Sequence, residues 1–333
     1  MAKLLHVVKP GLENGLQLED AAVADPENGE VRLKVMASAL NQADILYINS
    51  MHYTELKFPS RIGSEASGVV EAVGEGVSDI KVGDRVSTLP FFSTAPERHG
   101  VHGEYAIVPA QYCGPWPEGM TEQEGCSVWM QYLTAYFSLK TLGELKKGDT
   151  ALIIAGASSA GIGAIQIAKS LGVNVVATTR SESKAIFLNN VGADHVIITK
   201  DETPFHEQLQ KMTDGKGVKF AFDPVAGSFL KSYTQGMARD AKIAVYGMLG
   251  GDTDLNVPIL DVIRTRTSVH AYSMYNYVSD PDLRKEAMDY ISNALESGKI
   301  KPIIDRVFSL QDYKDAYAYM SSGSQCGKII LQP

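Results

Sequence analysis

A glycine-rich turn between a strand-like and a helix-like segment suggests the first chemistry. The run Leu152-Ile-Ile154 favours a strand and leads into Gly156-Ala-Ser-Ser-Ala-Gly-Ile-Gly163, after which apolar residues recur at helical spacing. Gly161 and Gly163 lack a Cβ, and the first amides of a helix point outward with the helix dipole behind them, so this turn suits a pyrophosphate. An alternative interpretation is that the small residues only let a helix pack closely on a strand.

The segments around this turn alternate between strand and helix patterns. Strands are predicted to begin near residues 151, 174, 195, 218, 241 and 268, and the intervals between them fit one crossover helix each. Helices are predicted at 181–190, 228–237 and 281–297. Six parallel strands make a complete dinucleotide-binding sheet, which favours the phosphate interpretation of the turn.

The N-terminal part of the chain has a different pattern. Short apolar runs with period-two alternation, such as 31–35, 67–73 and 105–108, are separated by Gly, Asp and Pro, which predicts a small barrel or sandwich. The last residues are again β-rich. We therefore predict that residues 1–122 and 274–333 form one domain and residues 123–273 the dinucleotide-binding domain.

Composition narrows the possible partners and compartments. The 333 residues carry a formal net charge of -8, which argues against nucleic acid or an anionic membrane as a partner. The N-terminus lacks a signal-peptide core, and no apolar run reaches the ~20 residues of a membrane span, so a cytoplasmic protein is predicted. The three scattered cysteines fit neither a disulfide framework nor a structural zinc site.

Several motifs resemble those of one known superfamily. These are Asn41-Gln-Ala-Asp44, Gly63 to Val77, Val82-Gly-Asp-Arg-Val86, Leu133-Thr-Ala-Tyr136, Gly156 to Gly163, Asp223-Pro-Val-Ala-Gly227 and Gly327-Lys328. With them the chain resembles the medium-chain dehydrogenase/reductase superfamily over essentially its whole length, and most closely its zinc-independent quinone oxidoreductase and enone reductase branch. The resemblance implies a GroES-like β-barrel catalytic domain, a six-stranded Rossmann domain, an active site in the cleft between them and a homodimer through the edge strand 268–274.

The zinc ligands of metal-dependent relatives are missing from the matching positions. Those relatives place a Cys near Asn41 and a His at Ser64, and only Glu65 remains here among the expected positions. Catalytic zinc needs about three protein ligands. His99 and His102 are close in sequence but have no evident third ligand, so no metal is predicted and simple alcohol oxidation is disfavoured.

The residues after the second predicted strand of the sheet indicate the cofactor. Thr179 stands where an NAD-selective protein usually carries Asp or Glu, and Arg180 beside it suits a 2′-phosphate, to which Lys184 could add charge. NADPH is therefore the predicted cofactor. Arg180 could instead be a solvated charge, and Glu182 could pair with it or hold a ribose and favour NADH.

Other cofactor residues follow from the resemblance. The predicted set is Thr134, Ser158, Ser159, Gly161, Ile162, Gly163, Thr199, Gly247, Met248, Tyr272, Ser273 and Lys328. Thr199 departs from the family, which commonly has an aromatic residue there. Any hydrophobic member of the set could equally be part of a core.

The predicted reaction is reduction without a metal. NADPH would transfer hydride to a quinone or to the β-carbon of an α,β-unsaturated carbonyl, and the protein would orient the reactants and donate hydrogen bonds to the developing oxyanion. By resemblance, Asn41 and Tyr53 are candidate donors and Asp44 orients a neighbour or the ribose. Asn41 could also cap a turn, and Tyr53 could merely line a cleft. Carbonyl reduction without zinc and NADPH binding without turnover are the alternative functions.

Overall fold

The computed structural model describes residues 1–52, 54–91, 93–199 and 203–333. Its strands are β1 (Ala2–Val7), β2 (Leu16–Ala21), β3 (Glu30–Ala39), β4 (Ser60–Arg61), β5 (Ala66–Val73), β6 (Arg85–Thr88), β7 (Tyr105–Pro109), β8 (Cys113–Pro115), β9 (Thr150–Ile153), β10 (Asn174–Thr179), β11 (His195–Ile198), β12 (Val218–Asp223), β13 (Met237–Val245), β14 (Ser268–Ala271), β15 (Ile304–Ser309) and β16 (Lys328–Gln332). These strands form the sheets of two compact units.

The helices connect and cover these strands. They are α1 (Leu12–Gly15), α2 (Gln42–Ile48), α3 (Glu122–Gly125), α4 (Trp129–Tyr136), α5 (Ser159–Ser170), α6 (Glu182–Val191), α7 (Phe205–Met212), α8 (Ile259–Thr265), α9 (Tyr275–Val278), α10 (Pro281–Glu296) and α11 (Tyr313–Ser322). Short 3₁₀ helices span Ala110–Tyr112, Gly227–Ser232, Thr234–Gly236 and Leu310–Asp312, and a π-helical turn spans Phe137–Leu142.

The first unit, Met1–Met130 with Pro302–Pro333, is built on β-sheets. Within its described residues, one sheet has the order β2-β1-β4, and the other has the order β15-β16-β3-β5-β6-β8, with β7 also paired to β3. Alternate residues of β3 and β5, such as Val31, Leu33 and Val70, point into one apolar core. A second core packs α11 on β1 and β16.

The second unit, Gln131–Lys301, contains the predicted parallel sheet. Among the described residues this sheet has six strands in the order β11-β10-β9-β12-β13-β14, and every neighbouring pair is parallel. The predicted α/β class and doubly wound sheet are therefore confirmed. Leu152, Val176 and Ala221 lie in its core, as expected for strands covered on both faces.

The unit boundaries can be compared with the ranges predicted from the sequence. The sequence placed the return to the first domain at residue 274, whereas the second unit extends to Lys301. The contacts of α10 explain this difference. Tyr290 on α10 hydrogen-bonds Ser170 at 2.7 Å, and Glu286 accepts from Tyr136 at 2.9 Å, so the helix is tied to α5 and α4.

The helix predicted at 228–237 is wrong. The chain forms the 3₁₀ helices Gly227–Ser232 and Thr234–Gly236, and β13 already begins at Met237. The buried Tyr233 donates to the Asp223 carboxylate at 2.6 Å, which ties the segment to the end of β12.

Glu30, at the start of β3, is bound by two residues of a distant loop. Its Oε2 accepts from Arg98 at 2.6 Å, its Oε1 lies 2.8 Å from His99 Nε2, and the backbone N–H of Glu27 donates to it at 2.8 Å. Burial raises the pKa of this carboxyl, but the hydrogen bonds from Arg98, Glu27 and His99 outweigh burial and lower the pKa from 4.5 to about 2.

We expect Glu30 to stabilise the fold at neutral pH and to lose that contribution in acid. The unfolded carboxyl titrates near its reference pKa of 4.5 and the folded one at about 2, so the contribution is complete above 4.5 and disappears as the pH falls toward 2. Acidification from pH 7 to 3.5 should remove about 1 kcal/mol. Urea unfolding of the wild type and Glu30→Gln measures this: the stability difference should shrink with acidification, and parallel pH profiles would contradict the prediction.

Candidate functional site

The carboxyl ends of the six parallel strands meet at one edge of the second unit's sheet. The chain runs from β9 outward to β10 and β11 on one side, and from β12 to β13 and β14 on the other. Such a reversal of strand order opens a crevice at the carboxyl edge where ligands bind in α/β sheets. Most of the predicted cofactor residues end or directly follow these strands, or lie at the start of α5; the exceptions are Thr134 on α4, Lys184 in α6 and Lys328 in the first unit.

The turn after β9 presents unpaired amides at this edge. Ser158 is the N-cap of the twelve-residue helix α5, and its Oγ accepts from the N–H of Gly161 at 3.1 Å. In the part of the chain that the structure describes, the N–H groups of Ser159 and Ala160 have no acceptor. Because these N–H groups lie at the positive end of the helix dipole, they are suited to an anionic oxygen.

The two glycines of the turn serve packing. A Cβ on Gly161 would lie 2.6 Å from the carbonyl oxygen of Ala155, and one on Gly163 would lie 3.0 Å from that of Gln131. Ile162 is fully buried, and its N–H already donates to Ser158 O at 2.8 Å. The two glycines are therefore needed for close packing of the turn. Binding of a phosphate would depend on the free N–H groups of Ser159 and Ala160 in the same turn.

Arg180 follows the last residue of β10 and is exposed. Across residues 1–52, 54–91, 93–199 and 203–333, it forms no ion pair, so the sequence alternative of a pair with Glu182 is not observed. Thr179 is buried, and its backbone oxygen accepts from Thr199 N at 2.8 Å, which ties the ends of β10 and β11 together. Lys184 lies in the first turns of α6.

A second group of predicted residues lies at the ends of β13 and β14. Tyr272 is buried and donates to the backbone oxygen of Thr134 at 2.8 Å, so the structure brings two predicted cofactor residues together. Gly247 must lack a side chain because a Cβ would lie 2.8 Å from Pro224 O. Met248 and Ser273 follow on the same two loops and are partly exposed.

Asp223 belongs to this edge but was not predicted as a site residue. It ends β12, is fully buried, and accepts from the N–H groups of Val225 and Ala226 at 2.7 and 3.0 Å. Burial raises the pKa of Asp223, although the hydrogen bonds from Tyr233 and from these amides oppose the shift. The motif Asp223-Pro-Val-Ala-Gly227 was the sequence signal that could have identified Asp223 as a residue of this edge.

A polar cluster in the first unit surrounds Asn41, the residue that caps α2. The backbone N–H of Asn41 donates to Asp44 Oδ2 at 2.7 Å, which closes a capping box. Lys328 Nζ donates to Asn41 Oδ1 at 2.7 Å and to Glu65 Oε2 at 2.5 Å. We call Asn41, Asp44, Glu65 and Lys328 the Asn41 cluster; all four residues are buried.

The contacts of the Asn41 cluster bear on the roles predicted for Lys328, as a cofactor residue, and for Asn41, as a hydrogen-bond donor. The Lys328 side chain is only 1% exposed, and its ammonium is bound to protein oxygens, so direct contact with a cofactor does not fit this arrangement. The amide nitrogen of Asn41 already donates to Ala39 O and Glu65 Oε2, both at 3.3 Å. Tyr53, the third predicted catalytic residue, lies outside the described residues.

The positions that match zinc ligands in metal-dependent relatives do not fit a metal. Asn41 and Glu65 turn oxygen atoms toward the Lys328 ammonium, a cation that would repel a second one. No group of three or more His, Cys, Asp or Glu side chains suited to a metal occurs in the described portion. His99 instead contacts Glu30, and His102 Nδ1 lies 2.9 Å from Ser38 Oγ.

No helix within the described ranges has the length and apolar character required to cross a membrane.

Comparison with known proteins gives a consistent result. Residues 27–118 match the family described as alcohol dehydrogenase GroES-like domain, and residues 160–293 match the family described as zinc-binding dehydrogenase. A probable quinone oxidoreductase of Leishmania amazonensis is 30% identical over 315 residues, covering 91% of this chain and 89% of that protein. The VAT-1 homolog of Rattus norvegicus, named a synaptic vesicle membrane protein, is 29% identical over 333 residues, covering 96% and 80%.

A solved structure extends the likeness to three dimensions. The Escherichia coli quinone oxidoreductase complexed with NADPH has a TM-score of 0.91 and 25% identity, with both chains covered completely. The parallel sheet with its free amides and the separate β-rich unit define an oxidoreductase with a dinucleotide-binding domain and a GroES-like domain. The chain belongs to the medium-chain dehydrogenase/reductase superfamily, in its quinone oxidoreductase branch, as its motifs indicated.

Proposed function

We propose that this protein reduces a quinone, or the carbon–carbon double bond of an α,β-unsaturated carbonyl compound, with NADPH. The observation that carries the proposal is Arg180, an exposed guanidinium without an ion pair in the described residues, at the same sheet edge as the free amides of α5. A 2′-phosphate would form an ion pair with Arg180, and a pyrophosphate would accept hydrogen bonds at the start of α5. The E. coli relative crystallised with NADPH supports this choice of cofactor.

The second unit would hold the dinucleotide through groups already in position. The N–H groups of Ser159 and Ala160 would bind the pyrophosphate, and Arg180 with Lys184 would bind the 2′-phosphate. Thr134 and Tyr272, joined by their hydrogen bond, are proposed neighbours of the nicotinamide ribose. Gly247, Met248 and Ser273 would complete this part of the nucleotide site.

The reaction needs a hydride, a proton and support for negative charge on oxygen. Bound NADPH supplies hydride from nicotinamide C4. A quinone then gains that hydride and one proton to become a hydroquinone, whereas an enone gains hydride at its β-carbon and a proton at its α-carbon. Asn41 and Tyr53 are the proposed donors to the acceptor oxygen, and Asp44 holds the backbone of Asn41.

We propose that the reaction is independent of zinc. Asn41 and Ser64 replace the Cys and His expected from metal-dependent relatives, and Lys328 places an ammonium beside the remaining Glu65. Neutral hydrogen-bond donors are sufficient for acceptors whose charge spreads over a conjugated system, whereas an isolated alkoxide needs a stronger electrophile.

Acceptor-dependent oxidation of NADPH tests the proposal. Absorbance at 340 nm is followed with 9,10-phenanthrenequinone, 1,4-benzoquinone, a panel of enals and enones, and saturated ketones as matched non-conjugated controls. We expect consumption with a quinone or an enone, undiminished by a chelator. Turnover of saturated ketones alone would indicate a carbonyl reductase, and binding without consumption of any acceptor would indicate a sensor; both outcomes contradict the proposal.

We further propose a homodimer formed through the edge strand β14. Tyr272 N donates to Val245 O at 2.8 Å, and this pairing directs the hydrogen-bonding groups of Ser268 and His270 toward β13. Because bonding direction alternates along a parallel strand, the N–H groups of Val269 and Ala271 point to the free edge, where a second copy could pair.

Replacing Ala271 with Pro is expected to weaken the dimer without unfolding the unit. Proline removes an outward N–H and is tolerated on a sheet edge where that N–H faces away from the sheet. Sedimentation velocity should show a shift from dimer toward monomer at equal protein concentration, with Ala271→Ser as the control that keeps the N–H. A wild-type monomer, or a variant that dimerises as the wild type does, would rule out this interface.

A further inference from the structure

Lys328 and Asn41 are brought together by strand pairing. Strands β3 and β16 pair antiparallel with Ile330 opposite Ala39, and the N–H of Leu40 donates to Ile329 O at 3.0 Å. Continuing this register by two residues places Lys328 opposite Asn41. The ammonium therefore reaches Asn41 Oδ1 from a strand at the other end of the chain.

The chemistry of an ammonium determines how the neighbouring amide must turn. Lys328 can only donate hydrogen bonds, whereas an amide has a donating and an accepting end. Asn41 must therefore direct Oδ1 toward Lys328, which leaves Nδ2 on the other side. Without this cation, the amide could rotate and exchange its two ends.

The donors on the far side of the Asn41 amide are weakly engaged. Both bonds from Nδ2, to Ala39 O and to Glu65 Oε2, are 3.3 Å long, near the upper limit for a hydrogen bond. Glu65 Oε2 is also the oxygen that accepts from Lys328, so one acceptor is shared by two donors. An incoming anionic oxygen could therefore compete for an N–H of Asn41.

Further hydrogen bonds fix the positions of Glu65 and of the Asn41 backbone. Glu65 uses its other oxygen to accept from the N–H of Met130 at 2.9 Å, and Asp44 holds the backbone N–H of Asn41 at 2.7 Å. His102 Nε2 lies 3.6 Å from the same oxygen, Asp44 Oδ2. Lys328 and Glu65 thus restrain the side chain of Asn41, while Asp44 restrains its backbone.

We propose that Lys328 is a positioning residue that fixes the orientation of the Asn41 amide so that its N–H groups serve the acceptor oxygen. In the same place, the ammonium neutralises Glu65 and occupies the oxygen atoms that a divalent cation would otherwise use. The inference rests on the proposed function for its catalytic meaning. It replaces the direct cofactor contact that the sequence suggested for Lys328.

A double-mutant cycle between Lys328→Met and Asn41→Ser tests whether Lys328 acts through Asn41. Each single variant should lower kcat by about tenfold or more, as loss of an oxyanion donor does. The double variant should fall no further, because residues that act as one unit are non-additive. The dissociation constant for NADPH, measured by fluorescence, should stay within about twofold in all three variants. Lys328→Arg, which keeps a donor-only cation, should recover part of kcat.

Two outcomes would overturn the inference. One is a weaker NADPH affinity in Lys328→Met with little change in kcat, which would restore the cofactor-binding interpretation. The other is additive loss in the double variant. If Lys328→Met fails to fold because Glu65 is left buried and unpaired, Asn41→Asp decides instead. It retains a partner for Lys328 but removes the N–H donors, and undiminished kcat would reject the inference.

A measurement without turnover separates this inference from the proposed function. The side-chain ¹⁵N–¹H resonances of Asn41, identified by their loss in Asn41→Asp, report the surroundings of its amide. We expect a clear shift in Lys328→Met, a smaller shift in Lys328→Arg, and no shift on Lys314→Ala, an exposed lysine of the same unit. If the wild type reduces no acceptor, the proposed function fails, and an unchanged Asn41 signal in Lys328→Met would separately reject the positioning role.

Discussion

Replacing Arg180 with Ala should raise the KM for NADPH about 10- to 100-fold and leave the KM for NADH nearly unchanged, since hydrogen bonds to charged groups contribute about 1.5–3 kcal/mol. The two cofactors differ only in the 2′-phosphate, and Arg180 is the exposed guanidinium next to the end of β10. Its planar fork suits a phosphate better than a single ammonium does. Lys184→Ala should therefore have a smaller effect in the same direction.

Arg239→Ala is the matched control for Arg180. Arg239 is also exposed and lies on the same sheet, but near the start of β13, at the opposite edge from the strand ends. Its removal changes net charge equally without touching the proposed phosphate site. Steady-state kinetics with both cofactors would test the assignment, and an equal loss for NADPH and NADH in Arg180→Ala would contradict it.

The second large effect is expected from Gly161→Ala. The new Cβ would lie 2.6 Å from Ala155 O and 2.7 Å from Gly156 O, both backbone atoms that cannot swing aside. The turn must therefore open, which moves the amides of Ser159 and Ala160 away from their shared direction. Overpacking of this kind costs about 1–3 kcal/mol, and we expect NADPH affinity to fall about 10-fold or more.

Titration calorimetry with NADPH, together with thermal unfolding, measures both parts of the Gly161 prediction. Ala160→Ser is the control because it adds one atom at the neighbouring position, which is partly exposed, and keeps the backbone N–H. Wild-type affinity in Gly161→Ala would mean that the turn does not form the phosphate site. A stability loss with retained affinity would show that Gly161 serves packing alone.

Local patterns made the second unit predictable. The hydrophobic runs of β9, β10 and β12 lie on one parallel sheet, as predicted, and Ser158 caps the helix that follows the glycine-rich turn. The prediction of a helix at 228–237 was wrong. The residues there have a helix-like pattern, but the hydrogen bond from Tyr233 to Asp223 holds the segment against the end of β12. A contact between a side chain and a strand end overrode local preference.

The amino-acid sequence alone determined the sheet, the glycine-rich turn and the position of Arg180, because each depends on residues close together in the chain. Tertiary structure alone decided what Lys328 does. Its partner Asn41 lies 287 residues away, and only the register of β16 on β3 brings the ammonium to the amide. A buried charge must find an oppositely charged or polar partner wherever the fold supplies one, so its role is set by packing rather than by neighbouring residues.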